Sequence, residues 1–154
     1  MPAELLAETP TRRASKPALG FSVLGLGISI YLTIEHFSSS KLLACPESAT
    51  INCAKVTTSR WSHIFGIPVA VLGLVFFLAI SLLLLPVAWR EPRLDRARVM
   101  ACAVGTVMVL YLVYIELFQV NAICLWCTAV HVCTVALLGA VLWHTSTVRI
   151  ERPA

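Results

Sequence analysis

Apolar residues in this chain come in runs about as long as a membrane span, separated by short polar stretches. Four runs qualify: Ala18 to Phe37, about Ile64 to Trp89, Val99 to Phe118, and Ile123 to His144. An α-helix needs roughly 20 apolar residues to cross a bilayer, and an ionised side chain at its centre costs roughly 2.5–3.5 kcal/mol. The first run meets no charge until Glu35 near its end, and the third none until Glu116 close to one end. Within the second, Gly66, Ala70 and Gly73 recur at helical spacing, which would let a neighbouring backbone approach closely. Pro68 falls in its first turn, where the missing N–H does little harm. Only Gln119 to Ala122 separates the third run from the fourth, so these two must form a tight antiparallel hairpin. The expected architecture is an all-α integral membrane protein: a four-transmembrane-helix bundle over residues 18–144, with spans 18–37, 64–89, 99–118 and 123–144, a long loop at 38–63, and polar tails at 1–17 and 145–154.

Composition and charge then exclude whole classes. Of 154 residues, 58% are hydrophobic and 13% charged, whereas soluble domains carry about 25% charged residues. A soluble globular enzyme is excluded, and so is a disordered chain, which needs low hydrophobicity and high net charge. Four spans leave no length for a second folded domain. An even number of spans puts both termini on one side, and nine of the twelve Lys and Arg residues fall there: Arg12, Arg13, Lys16, Arg90, Arg93, Arg96, Arg98, Arg149 and Arg152. The other side has only Lys41, Lys55 and Arg60, although it holds the longest loop. By the positive-inside rule the tails are cytoplasmic and loop 38–63 is extracytoplasmic. Topogenesis thus accounts for the net charge of +4, and no nucleic-acid partner is needed. Leu42, Leu43, Ala44 and Cys45 look superficially like a lipoprotein cleavage box. However, His36, the serines at 38–40 and Lys41 separate them from the apolar core, which a cleavage site follows closely, so a retained helix is expected.

Topology sorts the six cysteines. Cys45 and Cys53 fall in the outer loop, and Cys124 and Cys127 form a CxxC at the outer start of the fourth span. Cys102 sits near the cytoplasmic end of the third span, about 21 Å along the axis from Glu116. Cys133 is turned about 120° from Cys127 and lies roughly 9 Å deeper. Both read as small apolar core residues. A helix beginning near Ile123 would point its free amides and positive dipole end at Cys124, stabilising the thiolate, which is the reactive form. Cys124, Cys127, His131 and Thr134 recur at spacings of three and four, a semi-polar stripe that should face the bundle interior. A pocket there, just below the outer surface, would be open to a lipid-soluble molecule and to the loop thiols. Each pair alone also admits a structural role, as a staple at the helix start or as a closed nine-residue loop. Two pairs on one face make a relay, because thiolate attack on a disulfide passes electrons between pairs through a mixed disulfide.

At these residues the chain resembles the vitamin K epoxide reductase family, particularly its bacterial branch, over roughly residues 20–140. The resemblance rests on Cys45 and Cys53 with seven residues between them, on Ser59, Arg60 and Trp61, on FGIPVAVLG from Phe65 to Gly73, on YLVYIE from Tyr111 to Glu116, and on CLWC from Cys124 to Cys127. It implies a four-helix bundle whose extracytoplasmic loop caps a quinone pocket, with electrons flowing from a thioredoxin-fold partner through the loop pair to the CxxC. Carried across, Cys45 meets the partner's thiol, Cys53 attacks the disulfide at Cys124, and Cys127 is the thiolate facing the quinone. Ser59 matches a serine just above the quinone. Phe65, Tyr111 and Leu112 are candidate pocket walls, and His131 is a candidate quinone donor, with a packed, hydrogen-bonded histidine as the alternative. The quinone would be of menaquinone, ubiquinone or vitamin K type, and no metal is implied.

Two departures from the family pattern shape the expected function. Many bacterial members carry a thioredoxin-like domain after the bundle, whereas this chain stops at Ala154, so the partner is expected in trans. Only Ser62 to Ile64 lies between Trp61 and Phe65, a shorter cap than in vertebrate-like members. That favours quinone reduction coupled to disulfide formation over epoxide reduction. The expectation is a thiol:quinone oxidoreductase in a bacterial plasma membrane that reoxidises an extracytoplasmic thioredoxin-fold protein. Glu35, His36 and Glu116 would be proton conduits or anchors, or else snorkelling surface groups. The competing expectations are a vitamin K epoxide or quinone reductase serving the quinol, and a non-enzymatic four-span packing subunit with structural disulfides. A transporter is disfavoured, since no broken helix or buried charge pair marks a midplane site.

Overall fold

The computed structural model describes residues 15–38 and 44–150, the side chains of 148–150 excepted. Of the tails expected at 1–17 and 145–154, residues 1–14 and 151–154 lie outside the described residues, as do loop residues 39–43 with Lys41, whereas 16–17 and 145–150 belong to the first and last long helices. Helix α1 spans Lys16–Phe37, with Pro17 in its first turn, where no intrahelical N–H is lost. Its buried positions, Ala18, Ser22, Gly25, Ser29 and Leu32, recur every three or four residues and are mostly small, whereas Val23, Leu24, Ile30 and Ile34 are exposed. Large apolar side chains thus face outward and small ones face the neighbouring helices, the arrangement that suits packing in lipid. Hydroxyls on this helix bond to backbone carbonyls, Ser22 Oγ to Leu19 O at 2.9 Å and Thr33 Oγ1 to Ser29 O at 2.7 Å, as polar groups away from water must.

After the short helix α2 (Cys53–Thr57) and a 3₁₀ turn at Arg60–Ser62, strands β1 (His63–Ile64) and β2 (Ile67–Pro68) form a minimal antiparallel hairpin, with His63 opposite Pro68 and Ile64 opposite Ile67. The second span was expected to begin at Ile64, but helix α3 runs only Val69–Leu83. The two-residue turn needs positive φ at both central positions. Phe65 (51°) and Gly66 (80°) supply it, Gly66 without a Cβ penalty. Pro68 keeps Ile67 extended. At the other end Pro86 lacks an N–H and its ring would meet the Leu82 carbonyl, so the helix stops before it. Of the three small residues expected on one helical stripe, Gly66 is therefore in the turn, while Ala70 and Gly73 do face α1. Thr33 Oγ1 donates to Ala70 O at 3.2 Å, and a Cβ on Gly73 would rest 3.4 Å from Ser29 Oγ. From the α1 side, a Cβ on Gly25 would run into the Phe77 ring.

Arg98 clamps the link from α3 to helix α4 (Leu94–Tyr114). Fully buried, it donates from Nε to Leu83 O at 2.8 Å and from Nη2 to Ala88 O at 2.5 Å, pairs with Asp95 at 2.6 Å, and lies 4.1 Å from the Trp89 ring centre. α4 runs on through a wide π turn, Ile115–Val120, to make one rod of 27 residues. The chain then reverses at Asn121, in the left-handed conformation that Asn tolerates. The N–H groups of Asn121 and Ala122 both reach Glu116 O. Helix α5, Leu125–Ile150, returns against α4 and α1, the tight hairpin expected here. A core of Ala18, Phe77, Ile80, Leu84, Trp89, Cys102, Cys133, Leu137 and Val141 gathers all four long helices, and Cys102 and Cys133 are apolar core residues as expected. Among the described residues, Lys16–Phe37, Leu94–Val120 and Leu125–Thr147 are long and apolar enough to cross a membrane, and α3 is a shorter apolar helix. The protein is thus a mostly helical, multi-span integral membrane bundle.

Candidate redox site

Cys53 opens α2, where Asn52 fixes the first turn: its Oδ1 accepts the Lys55 N–H at 2.8 Å. Cys53 is buried and Cys45 half-buried, and a disulfide joins them with Cα atoms 6.2 Å apart. Cys124, fully buried, sits just before α5 and caps it. Its carbonyl takes the Thr128 N–H at 2.9 Å, and its Sγ takes the Cys127 N–H at 3.3 Å. The helix begins two residues later than expected, yet its free amides do converge on Cys124. Cys124 and Cys127 are free thiols.

Two threads tie the loop pair to the CxxC. Asn52 N–H donates to Ile123 O at 3.1 Å, and Ile123 N–H donates to Thr50 O at 2.9 Å, a parallel bridge between Ile51 and Ile123. The residues just before Cys53 and just before Cys124 are therefore bonded to each other. Trp126, between the two CxxC cysteines, donates from Nε1 to Ala44 O at 3.1 Å. Ala44 N–H in turn donates to Tyr31 Oη at 3.2 Å, and the Tyr31 and Trp126 ring centres are 4.9 Å apart. The residue before Cys45 is thus also anchored to the CxxC segment. Sequence reasoning missed both threads. A single backbone bridge has no side-chain signature, and an indole bonded across 82 residues leaves no periodic trace.

Beneath this junction lies a cavity of about 550 Å³, walled mainly by apolar side chains from α1, α3, α4 and α5. Of the expected wall residues, Ser59, Leu112, Cys127 and His131 line it, with Thr134 further along the stripe. Ser59 Oγ donates to Val56 O at 2.8 Å, and Trp61 packs on Ile115, Val120 and Ala122, closing that side. Phe65 and Tyr111 were also expected as walls, and the structure places them outside. Phe65 is fully exposed at the hairpin tip, and Tyr111, one position and so about 100° around α4 from Leu112, is 43% exposed. Glu35, His36 and Glu116 all reach the cavity rather than snorkelling outward. Glu116 is only 6% exposed, and the buried Glu35 Oε2 has no hydrogen-bond partner. His63, not anticipated, joins them, its ring centre 5.2 Å from that of His36.

The family model described as "Vitamin K epoxide reductase family" matches residues 16–142, which hold both cysteine pairs and every element around the cavity. The chain belongs to this family. Membership fits what the geometry provides: thiol and disulfide redox chemistry within a membrane-embedded bundle, at two adjoining cysteine pairs of which one is closed and one open.

Proposed function

We propose that this protein is a thiol:quinone oxidoreductase that reoxidises an extracytoplasmic thioredoxin-fold partner in trans and passes the electrons to a membrane quinone. The reading takes residues 18–144 as one domain crossing the bilayer four times, with cytoplasmic tails at 1–17 and 145–154 and the loop 38–63 outside, in keeping with the Lys and Arg distribution. Its second span is α3 extended by the apolar residues on either side, since 15 residues alone reach only about 22 Å.

In this scheme a partner thiolate attacks Cys45 Sγ, breaking the Cys45–Cys53 bond. The partner's second thiol resolves the mixed disulfide and leaves oxidised. The freed Cys53 thiolate attacks Cys124 Sγ of a Cys124–Cys127 disulfide, and Cys127 departs as thiolate. Cys45 then displaces Cys124 from Cys53. The products are a closed loop disulfide and two thiols at 124 and 127, the arrangement present here. The observation that carries this reading is the pair of tethers, Asn52 to Ile123 and Trp126 to Ala44, because exchange requires the two pairs to be neighbours.

A quinone accepts two electrons and two protons from the dithiol. The cavity suits such a ring: its volume falls within the roughly 300–1,000 Å³ of small-molecule sites, its walls are mainly apolar, and the unpartnered Glu35 Oε2 and the Ser59 and His131 side chains offer polar contacts. Leu112 would pack on the ring, Ser59 and His131 would hold its oxygens, and Cys127 would face it. The test is the purified protein in nanodiscs, given a reduced thioredoxin-fold protein and either menadione or vitamin K epoxide. Thiol-dependent menadione reduction, lost in Cys53→Ala and Cys124→Ala, supports the reading. Retained activity in Cys124→Ala contradicts it, and preference for the epoxide transfers the assignment to an epoxide reductase.

A further inference from the structure

We infer that Glu116 carries protons between the CxxC thiols and the acceptor in the cavity, which rests on the thiol:quinone reading above. Glu116 lies in the π turn that ends α4, and wide turns of this kind recur at functional sites. It is almost fully buried on the wall it shares with Cys127 and His131. The Cys124 backbone N–H faces its carboxyl, and both thiols lie within reach of its charge. No ion pair with a described Lys or Arg offsets that charge, and Lys55 and Arg60, on the elements packed nearby, are exposed. The other titratable groups on the cavity wall are Glu35 and His36 of α1, His63 of β1, and Cys127 and His131 of α5.

This placement is hard to explain as structure or as thiolate activation. A buried carboxylate is costly without a cation, and beside a thiolate it repels the form that reacts. A glutamine would meet the Cys124 N–H equally well and repel nothing. What the carboxyl adds is a proton it can take and release.

When the dithiol is oxidised, two S–H bonds break, one S–S bond forms, and two O–H bonds form on the quinone. Glu116 as carboxylate takes the Cys127 proton, leaving the thiolate, and hands that proton to the nearer quinone oxygen. The Cys124 proton follows through the same carboxyl to the second oxygen as the S–S bond closes. The two electrons released by the sulfurs go to the ring.

The experiment uses the fully reduced protein in nanodiscs with menadione as the probe, comparing wild type, Glu116→Gln and Glu116→Asp. Three quantities are read: the single-turnover rate, menadione binding through quenching of tryptophan fluorescence (Trp61 lines the cavity), and recovery of that rate on adding formate, a small carboxylate that can carry a proton in place of the missing side chain. Positioned acid–base groups contribute roughly 10²–10⁴-fold. Glu116→Gln should therefore slow the single turnover about a hundredfold or more, bind menadione as wild type does, and regain part of the rate when formate is added. Glu116→Asp should retain most of the rate. A Glu116→Gln rate close to that of wild type overturns the inference. So does a slow rate with menadione binding lost, or one that formate leaves unchanged. If wild type itself fails to reduce menadione, the thiol:quinone reading fails; if wild type reduces it and Glu116→Gln does too, only the role of Glu116 fails.

Discussion

Trp126→Phe removes one hydrogen bond from the tether and little else. The aromatic ring near Tyr31 remains, and only the Nε1–H that holds Ala44 O at 3.1 Å is lost. A hydrogen bond of this kind contributes about 1 kcal/mol net, which is about fivefold in an opening equilibrium. Tyr31→Phe removes the companion bond from Ala44 N–H and should have a similar effect. Both bonds end on one residue, so the double variant also measures their coupling. Cys124 is fully buried at the bridge with the loop, while Cys102 is fully buried in the core well away from it. Iodoacetamide labelling of each thiol, read by mass spectrometry, therefore separates loop opening from global unfolding. Cys124 should label about fivefold faster in either single variant, with Cys102 unchanged. Unchanged Cys124 labelling would refute the tether, and acceleration of both thiols in step would show that the substitution merely loosens the bundle.

Other outcomes follow from the same geometry. Arg98→Met leaves the Leu83 and Ala88 carbonyls without their guanidinium donor in a buried site, a loss of about 3 kcal/mol. It should lower the midpoint of unfolding titrations in mixed micelles, and an unchanged midpoint would show that the clamp contributes nothing.

Much of the bundle is legible in the chain because lipid imposes long apolar runs. Ala18–Phe37 lies within α1, Val99–Phe118 lies within α4 and the π turn that continues it, and Ile123–His144 overlaps α5 from Leu125 on. The CxxC stripe is legible too, since Cys127, His131 and Thr134 keep a helical period and do turn inward. The second run misleads because hydropathy does not register backbone conformation: Ile64 to Pro68 are apolar yet form a hairpin, and Pro86 stops α3 within an apolar stretch. Phe65 and Tyr111 show the same blindness at single positions, being aromatic, near the site and outward-facing. Glu116 misleads in the opposite sense. An acid near a span end suggests a snorkelling group, and only the packing of α4 on α5 shows it buried beside two thiols. The docking of the loop rests on backbone atoms of Thr50, Asn52 and Ile123, which no residue pattern encodes.

The central claim is that the loop pair can exchange directly with the CxxC. In Cys45→Ala/Cys127→Ala the two sulfurs proposed to meet, those of Cys53 and Cys124, remain, along with the core residues Cys102 and Cys133. Mild oxidation of this variant in nanodiscs, followed by proteolysis and mass spectrometry, should yield a Cys53–Cys124 cross-linked peptide within one chain. Recovery of both cysteines as free thiols, or of links between chains only, would contradict it.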